Sequence, residues 1–259
     1  GRPIAVTASL VDQQAALYGH GCRHAGDAKV TFGTGAFALA LTGAEAYRAP
    51  EKGLLPTVAW QCDGDAPVYA LDGGVYNAAS AVNWARRLGL FERYDDLNNF
   101  EGPSAIERGI VLVPAFSGLA CPHWDRSAAG LCIGLTLDSD KSDILRAILE
   151  GVALRAVEVL EAMGEFVALG KGVSVDGGMS VNPYFCQFRA DVLQREIRAP
   201  KTTELTGLGT ALLAAAGAGK AVALPEIDSV LFQPRRDLSA TRARFKDAVQ
   251  RARGWAAPA

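Results

Sequence analysis

A pair of glycines after a short β-type run could let a ligand approach the backbone. Residues 173–175 predict a strand, and Asp176, Gly177 and Gly178 follow it. Asn182 then precedes a proline, a pairing typical of a helix start. The N-terminus of a helix is electropositive and favours anions. A turn followed by a capped helix explains the same residues, so this motif leaves a ligand site and a structural turn equally open.

A second glycine pair encloses Thr34, at Gly33 and Gly35. Predicted strands on both sides make this segment a hairpin tip, whose N–H groups and hydroxyl could bind phosphate. Together with Ala38 the glycines also fit a loose dinucleotide fingerprint, but that fingerprint needs a following helix and here the chain soon turns. We therefore exclude a Rossmann site, and from this motif alone an ordinary tight turn is favoured.

Two aspartates precede predicted helices. Asp12 follows apolar residues and is followed by Gln13, so its carboxylate could take a proton from a hydroxyl nucleophile while the glutamine binds a polyol. A helix-capping aspartate is the more common explanation of such a residue. Asp72 is followed by Gly73 and Gly74, a repetition of the first motif that favours a paired arrangement around one cleft.

Other kinds of site have weaker support. His20 and His24 flank Cys22, but neighbouring glycines break the helix that would align them, so a metal site there is disfavoured. The sequence contains neither the G-x-S-x-G elbow of serine hydrolases nor a P-loop.

The elements that must position these residues are predicted from hydrophobic periodicity and from capping and turn residues. Predicted strands cover 4–8, 29–32, 37–41, 55–62, 68–71, 110–113, 173–175 and 196–198. Predicted helices cover 12–18, 75–88, 141–163, 183–193, 207–218 and 240–253. The small residues of the helix at 207–218 indicate close packing on a sheet. This pattern is typical of an α/β fold.

Composition narrows the possible partners. The 259 residues are 49% hydrophobic, with 26 Lys plus Arg against 28 Asp plus Glu, and no basic stripe of the kind that nucleic-acid binding needs. Five widely spaced cysteines without a C-x-x-C motif indicate reduced thiols and a cytoplasmic protein. No apolar run reaches the length of a membrane span.

Several stretches, taken in order, resemble the carboxy-terminal domain of the FGGY carbohydrate kinases: VDQQAALYGHG, VTFGTGAFALALTG, YALDGGVYNAASAVNWARRLGL and VSVDGGMSVNPYFCQFRADVLQ. The resemblance covers nearly the whole chain. It implies a ribonuclease H-like, actin-like ATPase fold, with a mixed β-sheet flanked by helices. It further implies ATP and Mg²⁺ as cofactors and phosphoryl transfer to a hydroxyl of a sugar or polyol.

The resemblance assigns roles to individual positions. Asp12 matches the catalytic base and lies near the Mg²⁺, directly or through water, and Gln13 and Phe37 match polyol contacts together with Asp12. The positions that match nucleotide contacts are Thr34, Gly35, Ala79, Asn83, Gly178, Met179 and Asn182. Departures from the family pattern include Ala79 and Asn83, where glycine and glutamine are usual, and Val11, where glycine commonly precedes the aspartate.

The acceptor is less well defined than the nucleotide. Asp12 followed by Gln-Gln-Ala-Ala-Leu resembles the motif of family members that act on glycerol, and a larger sugar such as a pentulose is the alternative within the same reaction class. A non-catalytic actin-like module that binds nucleotide and a partner protein is the alternative from another class. Asp12 with Gln13 favours the enzyme, because a binding module has no need for a base.

The resemblance also sets an expectation about domain organisation. Residues 1–259 correspond to the carboxy-terminal domain, so the amino-terminal domain of the family is absent from this chain and becomes its expected partner. We expect the isolated chain to bind nucleotide weakly without turnover. The sequence leaves homo-oligomerisation open.

Overall fold

The computed structural model describes residues 4–202, 204–220 and 222–255. The described residues form the helices α1 (Asp12–Gly19), α2 (Ala79–Arg87), α3 (Lys141–Gly164), α4 (Pro183–Leu193), α5 (Leu205–Gly217) and α6 (Thr241–Ala252). Their strands are β1 (Ala28–Phe32), β2 (Ala36–Gly43), β3 (Leu55–Trp60), β4 (Val68–Val75), β5 (Val111–Val113), β6 (Leu131–Ile133), β7 (Gly172–Gly177), β8 (Glu196–Pro200) and β9 (Ser229–Phe232). Short 3-10 helices lie at Pro50–Lys52 and Tyr94–Leu97. The predicted α/β class is confirmed.

A seven-stranded mixed sheet organises the molecule, in the order β3-β4-β2-β1-β7-β8-β9. The consecutive strands β1 and β2 form the predicted antiparallel hairpin. At the centre of the sheet β1 pairs with β7 in parallel, and β7 pairs with β8 in parallel. The remaining neighbours are antiparallel, and β5 and β6 form a separate two-stranded sheet.

The two faces of the large sheet differ in character. Ala36, Ala38 and Ala40 of β2 belong to the main core, which also contains most of α3. The intervening Leu39 and Leu41 pack with Leu17 of α1 in a smaller cluster on the opposite face. Since successive side chains of a strand point to opposite faces, the alternation along β2 places α3 and α1 on different sides of the sheet.

Helix α3 is the centre of the main core. Asp140 caps it by accepting a hydrogen bond from the Asp143 N–H at 3.0 Å, and the Asp143 side chain accepts one from the Asp140 N–H. Most of its side chains are buried, including Val152, Val159 and Leu160. The predicted helix over residues 141–163 is confirmed. No helix among the described residues has the length and apolar character that a membrane crossing requires.

Helix α5 packs against α1, which corrects the prediction that it lies on a sheet. A Cβ at Gly209 would stand 1.8 Å from the Ala15 carbonyl oxygen, and one at Gly19 would stand 1.9 Å from the Leu205 oxygen. The small residues therefore allow two helix backbones to approach each other. This contact places the layer α1–α5 on the face of the sheet opposite α3.

One predicted strand and two predicted boundaries were wrong. Residues 4–8 are not a strand, because this segment has no strand partner, and Ile4 and Val6 are exposed. Strand β4 continues to Val75, past its predicted end at residue 71, because residues 72–75 pair with β2. Helix α2 therefore begins only at Ala79. Strands β6 and β9 and both 3-10 helices were not predicted.

Candidate functional site

The site is built where β1 and β7 end side by side at the centre of the sheet. Thr31 pairs with Asp176 and Phe32 pairs with Gly177. Parallel neighbours present their carboxyl ends at the same edge, where ligands bind in open α/β sheets. The hairpin tip after β1 and Gly178 after β7 therefore leave the sheet next to each other.

The hairpin tip is anchored to the start of α2. The Gly33 carbonyl accepts from the Ala79 N–H at 3.0 Å, and the Thr34 carbonyl accepts from the N–H groups of Ala78 and Ser80 at 3.0 and 3.1 Å. A Cβ at Gly35 would lie 2.5 Å from the Val75 carbonyl oxygen. Backbone donors at the start of α2 are thus satisfied by the tip, which holds the backbone of Thr34 and leaves its side chain exposed.

The two glycines at the end of β7, Gly177 within the strand and Gly178 directly after it, serve different purposes. Gly177 has φ +86°, and a Cβ there would lie 2.2 Å from the Phe32 carbonyl oxygen, so the fold itself requires glycine. A Cβ at Gly178 would meet nothing within 4 Å. The open space at Gly178 is available to a ligand.

Gly73 and Gly74 do not form a second site of this kind. They lie within β4, opposite Ala38 and Phe37 of β2. A Cβ at Gly73 would lie 2.6 Å from a methyl of Val159, so the glycine allows α3 to pack against the sheet. The predicted pairing of the two motifs around one cleft was wrong, because this motif is part of a paired strand and none of its residues lines either cleft beside Gly178.

A cleft of about 730 Å³ lies on one side of Gly178, beside β8 and α5, and its wall includes Thr31, Asp176, Lys201 and Thr206. On the other side, a cleft of about 610 Å³ separates α2 from the start of α4; we call it the α2–α4 cleft. It collects most of the residues assigned to nucleotide contacts together with residues that no motif indicated. Its lining includes Ala79, Val82, Asn83, Tyr94, Asp95, Leu97, Asn98, Gly178, Met179 and Asn182.

Asn182 is committed to the local structure. Its Oδ1 accepts from the Phe185 N–H at 2.8 Å, which caps α4 as predicted. Its Nδ2 donates to the Leu97 carbonyl at 2.8 Å and so fixes the segment that contains Tyr94. The side chain is buried, and its main effect is to join two walls of the α2–α4 cleft.

On the α1 face of the sheet, a polar network links the first turn of α1 to β7. Lys29 is fully buried, and its Nζ donates to Gln13 Oε1 at 2.8 Å and to the Thr31 hydroxyl. Asp176 Oδ2 lies 4.0 Å from this ammonium group and 2.9 Å from His20 Nε2. The network therefore connects the first turn of α1 with the strand that ends at Gly177.

Burial and charge act in opposite directions on this network. Burial lowers the pKa of Lys29, although the Asp176 carboxylate opposes that shift. Burial by itself would raise the pKa of Asp176, but the hydrogen bond from His20 and the positive charge of Lys29 outweigh it and hold that pKa below its ordinary value. Asp176 is therefore held as a carboxylate and favours the cationic form of Lys29.

Asp12, Gln13 and Phe37 lie on the same face of the sheet as Lys29. Phe37 pairs with Thr31 across the hairpin and leaves 48% of its surface exposed. Asp12 is the first residue of α1, exposed, and its Oδ1 accepts the Gln13 N–H at 2.7 Å. Val11, not Asp12, is the N-cap residue. None of these three residues lines either cleft beside Gly178.

The structure thus groups Ala79, Asn83, Gly178, Met179 and Asn182 in one cleft, with Thr34 and Gly35 at its hairpin border. The three residues that the resemblance assigns to the acceptor, Asp12, Gln13 and Phe37, form a separate group on the α1 face, which we call the acceptor side. The walls contributed by Tyr94, Asp95 and Thr206 were missed, because a 3-10 helix and a small-residue helix have no ligand motif in the sequence.

Residues 28–218 match the family described as FGGY family of carbohydrate kinases, C-terminal domain. Over 99% of this chain, a glycerol kinase from Francisella tularensis is 40% identical and one from Alkalilimnicola ehrlichii is 42% identical. The chain spans about half the length of these curated relatives, 53% and 52% respectively.

Solved structures give the same result. A Plasmodium falciparum glycerol kinase with ADP superimposes with a TM-score of 0.83 at 30% identity, over 93% of this chain and 50% of that one. A kinase from Brucella ovis, described as a xyloylose kinase, superimposes with a TM-score of 0.75 over 93% of this chain and 49% of that one; at 23% identity it supports the fold alone. The predicted actin-like ATPase fold is confirmed.

Proposed function

We propose that this chain, which belongs to the FGGY family of carbohydrate kinases, is the nucleotide-binding carboxy-terminal domain of an ATP-dependent kinase that phosphorylates glycerol. The observation that carries the proposal is the open backbone at Gly178, which borders a cleft lined by Ala79 and Asn83. The names of the similar curated kinases support glycerol as the acceptor.

In this proposal the base of ATP occupies the α2–α4 cleft, against Gly178 and Met179. Its phosphates run toward the hairpin tip, where Thr34 offers a hydroxyl. Phosphoryl transfer depends mainly on positioning and on neutralising charge, so a rigid backbone tip suits the phosphate end. Anchoring of the tip by three N–H groups at the start of α2, those of Ala78, Ala79 and Ser80, provides that rigidity.

Asp12 is the proposed base on the acceptor side. Its Oδ1 is held by the Gln13 N–H, which leaves Oδ2 to take the proton of the attacking hydroxyl. The oxygen of the acceptor hydroxyl then forms a bond to the γ-phosphorus, while the bond from this phosphorus to the β,γ-bridging oxygen breaks and ADP leaves. Because Gln13 Oε1 accepts from Lys29, the glutamine has its two amide hydrogens for the polyol. Phe37 would cover an apolar edge of the acceptor.

The residues fit a magnesium ion that is shared with the nucleotide. Among the described residues there is no group of three His, Cys, Asp or Glu side chains that could hold a metal. Mg²⁺ commonly uses one or two carboxylates together with substrate phosphates and water, and the exposed Asp12 carboxylate can supply such a ligand. When bound, the ion would neutralise phosphate charge.

A single assay can distinguish the proposed function from two alternatives. A pentulose or another sugar as the acceptor would retain the nucleotide site and Asp12, and a non-catalytic nucleotide-binding module would need neither Asp12 nor Gln13. The exposed carboxylate beside an oriented glutamine favours the enzyme. The five free cysteines favour the cytoplasm as its location.

The test measures ADP release by the protein that joins this chain to the proposed amino-terminal domain. Wild type, Asp12→Asn and a matched control, Asp63→Asn in the exposed loop after β3, are assayed with glycerol, erythritol, xylulose and ribulose. We expect glycerol turnover that falls on the order of 10²- to 10⁴-fold in Asp12→Asn and is unchanged in the control. Turnover of a pentulose alone would overturn the glycerol assignment, and turnover that survives in Asp12→Asn would overturn the role of the base.

A further inference from the structure

One wall of the α2–α4 cleft comes from the 3-10 helix Tyr94–Leu97, which no sequence motif marks. The Tyr94 hydroxyl donates to Asn83 Oδ1 at 2.7 Å. Asp95, the next residue, also lines the cleft. Three polar side chains of adjacent elements thus converge on the space that we assign to the base of the nucleotide.

Tyr94 is held in place from several directions. The ring of Phe91 meets its ring in an edge contact with centroids 5.6 Å apart, and the guanidinium of Arg86 lies 5.2 Å from the ring centroid. The Arg93 N–H donates to the Asp96 carboxylate at 3.0 Å and so defines the start of the short helix. The hydroxyl of Tyr94 is therefore preorganised toward Asn83.

This contact decides what Asn83 can offer a ligand. A primary amide has one acceptor oxygen and two N–H donors, and it can rotate to present either. With Oδ1 engaged by Tyr94, Asn83 presents its N–H groups to the cleft. Asp95 is an acceptor only, and since Arg93 engages its Oδ2 at 3.0 Å, its Oδ1 is left to a ligand.

We propose that Tyr94 and Asp95 set the base specificity of the site, by holding one donor and one acceptor toward the bound base. Adenine matches this pair, because its exocyclic amino group is a donor next to a ring nitrogen that is an acceptor. Hypoxanthine has the same shape with the two functions exchanged, an oxygen acceptor beside a ring N–H donor. The inference rests on the proposed function, since it requires the nucleotide base to occupy this cleft.

Tyr94→Phe removes the group that fixes the Asn83 amide, so the amide can rotate and accept from hypoxanthine. Asp95→Asn replaces the acceptor by a group that can also donate. Both side chains are largely exposed, so neither change is expected to disturb folding. Tyr69→Phe on β4 is the matched control, because it removes a tyrosine hydroxyl outside the cleft.

The experiment titrates ADP and IDP separately into wild type and the three variants by calorimetry and compares the ratio of the two dissociation constants. We expect wild type to bind ADP more tightly than IDP. Tyr94→Phe and Asp95→Asn should each reduce the ratio of the IDP to the ADP dissociation constant about five- to tenfold. Tyr69→Phe should leave that ratio unchanged. ADP binding with an unchanged ratio in both variants would overturn this inference while leaving the proposed function standing. A wild-type chain that binds neither nucleotide would overturn the proposed function, and the inference with it.

Discussion

Gly177 and Gly178 are neighbours with different physical roles. The positive φ of Gly177 and the closeness of the Phe32 carbonyl explain its glycine without any ligand. At Gly178 no atom of the described chain stands where a Cβ would project. At the residue scale, the fold therefore accounts for Gly177, whereas the absence of a side chain at Gly178 is consistent with a ligand that occupies this space.

We predict that Gly178→Ala leaves stability within about 0.5 kcal/mol of wild type, since a surface change without a contact is usually neutral. The same variant should weaken ADP binding, because its methyl enters the space proposed for the nucleotide. Chemical denaturation and calorimetric titration measure the two effects.

Gly177→Ala is the contrasting variant. Residue 177 has a left-handed φ, and an added Cβ would lie 2.2 Å from the Phe32 carbonyl oxygen. We therefore expect this variant to lose about 2 kcal/mol or more of unfolding free energy. If Gly178→Ala bound ADP as well as wild type, the ligand would not approach the backbone at this residue.

The lowered pKa of Asp176 predicts a pH dependence of stability. The pKa of Asp176 in the folded protein lies below the ordinary value of about 3.9 that applies to the unfolded chain. At a pH above this ordinary value the ionised carboxyl contributes its full stabilisation. This contribution is lost as the pH falls through the folded-state pKa. The difference in unfolding free energy between wild type and Asp176→Asn should therefore be constant near neutral pH and shrink below about pH 4.

Urea unfolding at a series of pH values measures this difference. Because the His20 hydrogen bond is a main cause that lowers this pKa, the pH-dependent part should become smaller when the comparison is made in a His20→Ala background. An unchanged pH dependence in that background would show that the His20 contact does not control the ionisation of Asp176.

At the element scale, α1 is positioned by α5. The first turn of α1 carries Asp12 and Gln13, and its last turn reaches Gly19, where the backbone of α5 passes closely. Lys29 fixes the opposite end through Gln13. The acceptor side therefore depends on helix packing that is remote from the proposed chemistry.

Gly209→Ala and Gly207→Ala form a matched pair within α5. A methyl at residue 209 would stand 1.8 Å from the Ala15 carbonyl oxygen, so the helices must separate, and we expect a loss of about 2 kcal/mol or more. A methyl at residue 207 meets nothing within 4 Å, and the higher helix propensity of alanine should stabilise by up to about 1 kcal/mol. Thermal or urea unfolding measures both, and equal effects would contradict the described α1–α5 contact.

At the scale of the whole molecule, we propose that the chain supplies one wall of a larger site. It spans about half the length of its curated relatives, and both clefts beside Gly178 and the exposed Asp12 carboxylate are accessible on its surface. The partner that we propose to cover this surface is the amino-terminal domain, which would exclude water and complete the acceptor pocket.

We therefore predict that the 259-residue chain alone binds ADP weakly and releases no ADP from ATP with glycerol. Binding should lose affinity because the proposed amino-terminal domain would supply part of the site, and turnover should fail because the acceptor would not be held against the γ-phosphate. Calorimetry and a coupled ADP assay test the two statements. Robust turnover by the isolated chain would show that Asp12 and the hairpin tip are sufficient for the reaction.

Local signals in the sequence determined many of the elements. Helix starts and turns depend on contacts within a few residues. Such local signals are Asn182 before Pro183, the acidic cap of the long helix and the glycines around Thr34. The corresponding helices and the hairpin were therefore predicted correctly. The family motifs likewise marked Gly178 and Asn83, which the structure brings into one cleft.

Only the tertiary structure decided which of two similar motifs borders a cleft. Gly73 is buried against Val159, a residue far along the chain, whereas Gly178 opens into empty space, and the sequences around them do not reveal that difference. Residues 4–8 look like a strand but have no strand partner. Tyr94 reaches Asn83 through contacts between separate elements, among them the hydrogen bond from Asn182 to Leu97 that holds its segment. Contacts between distant parts of the chain depend on packing, and periodicity and capping signals report only on near neighbours.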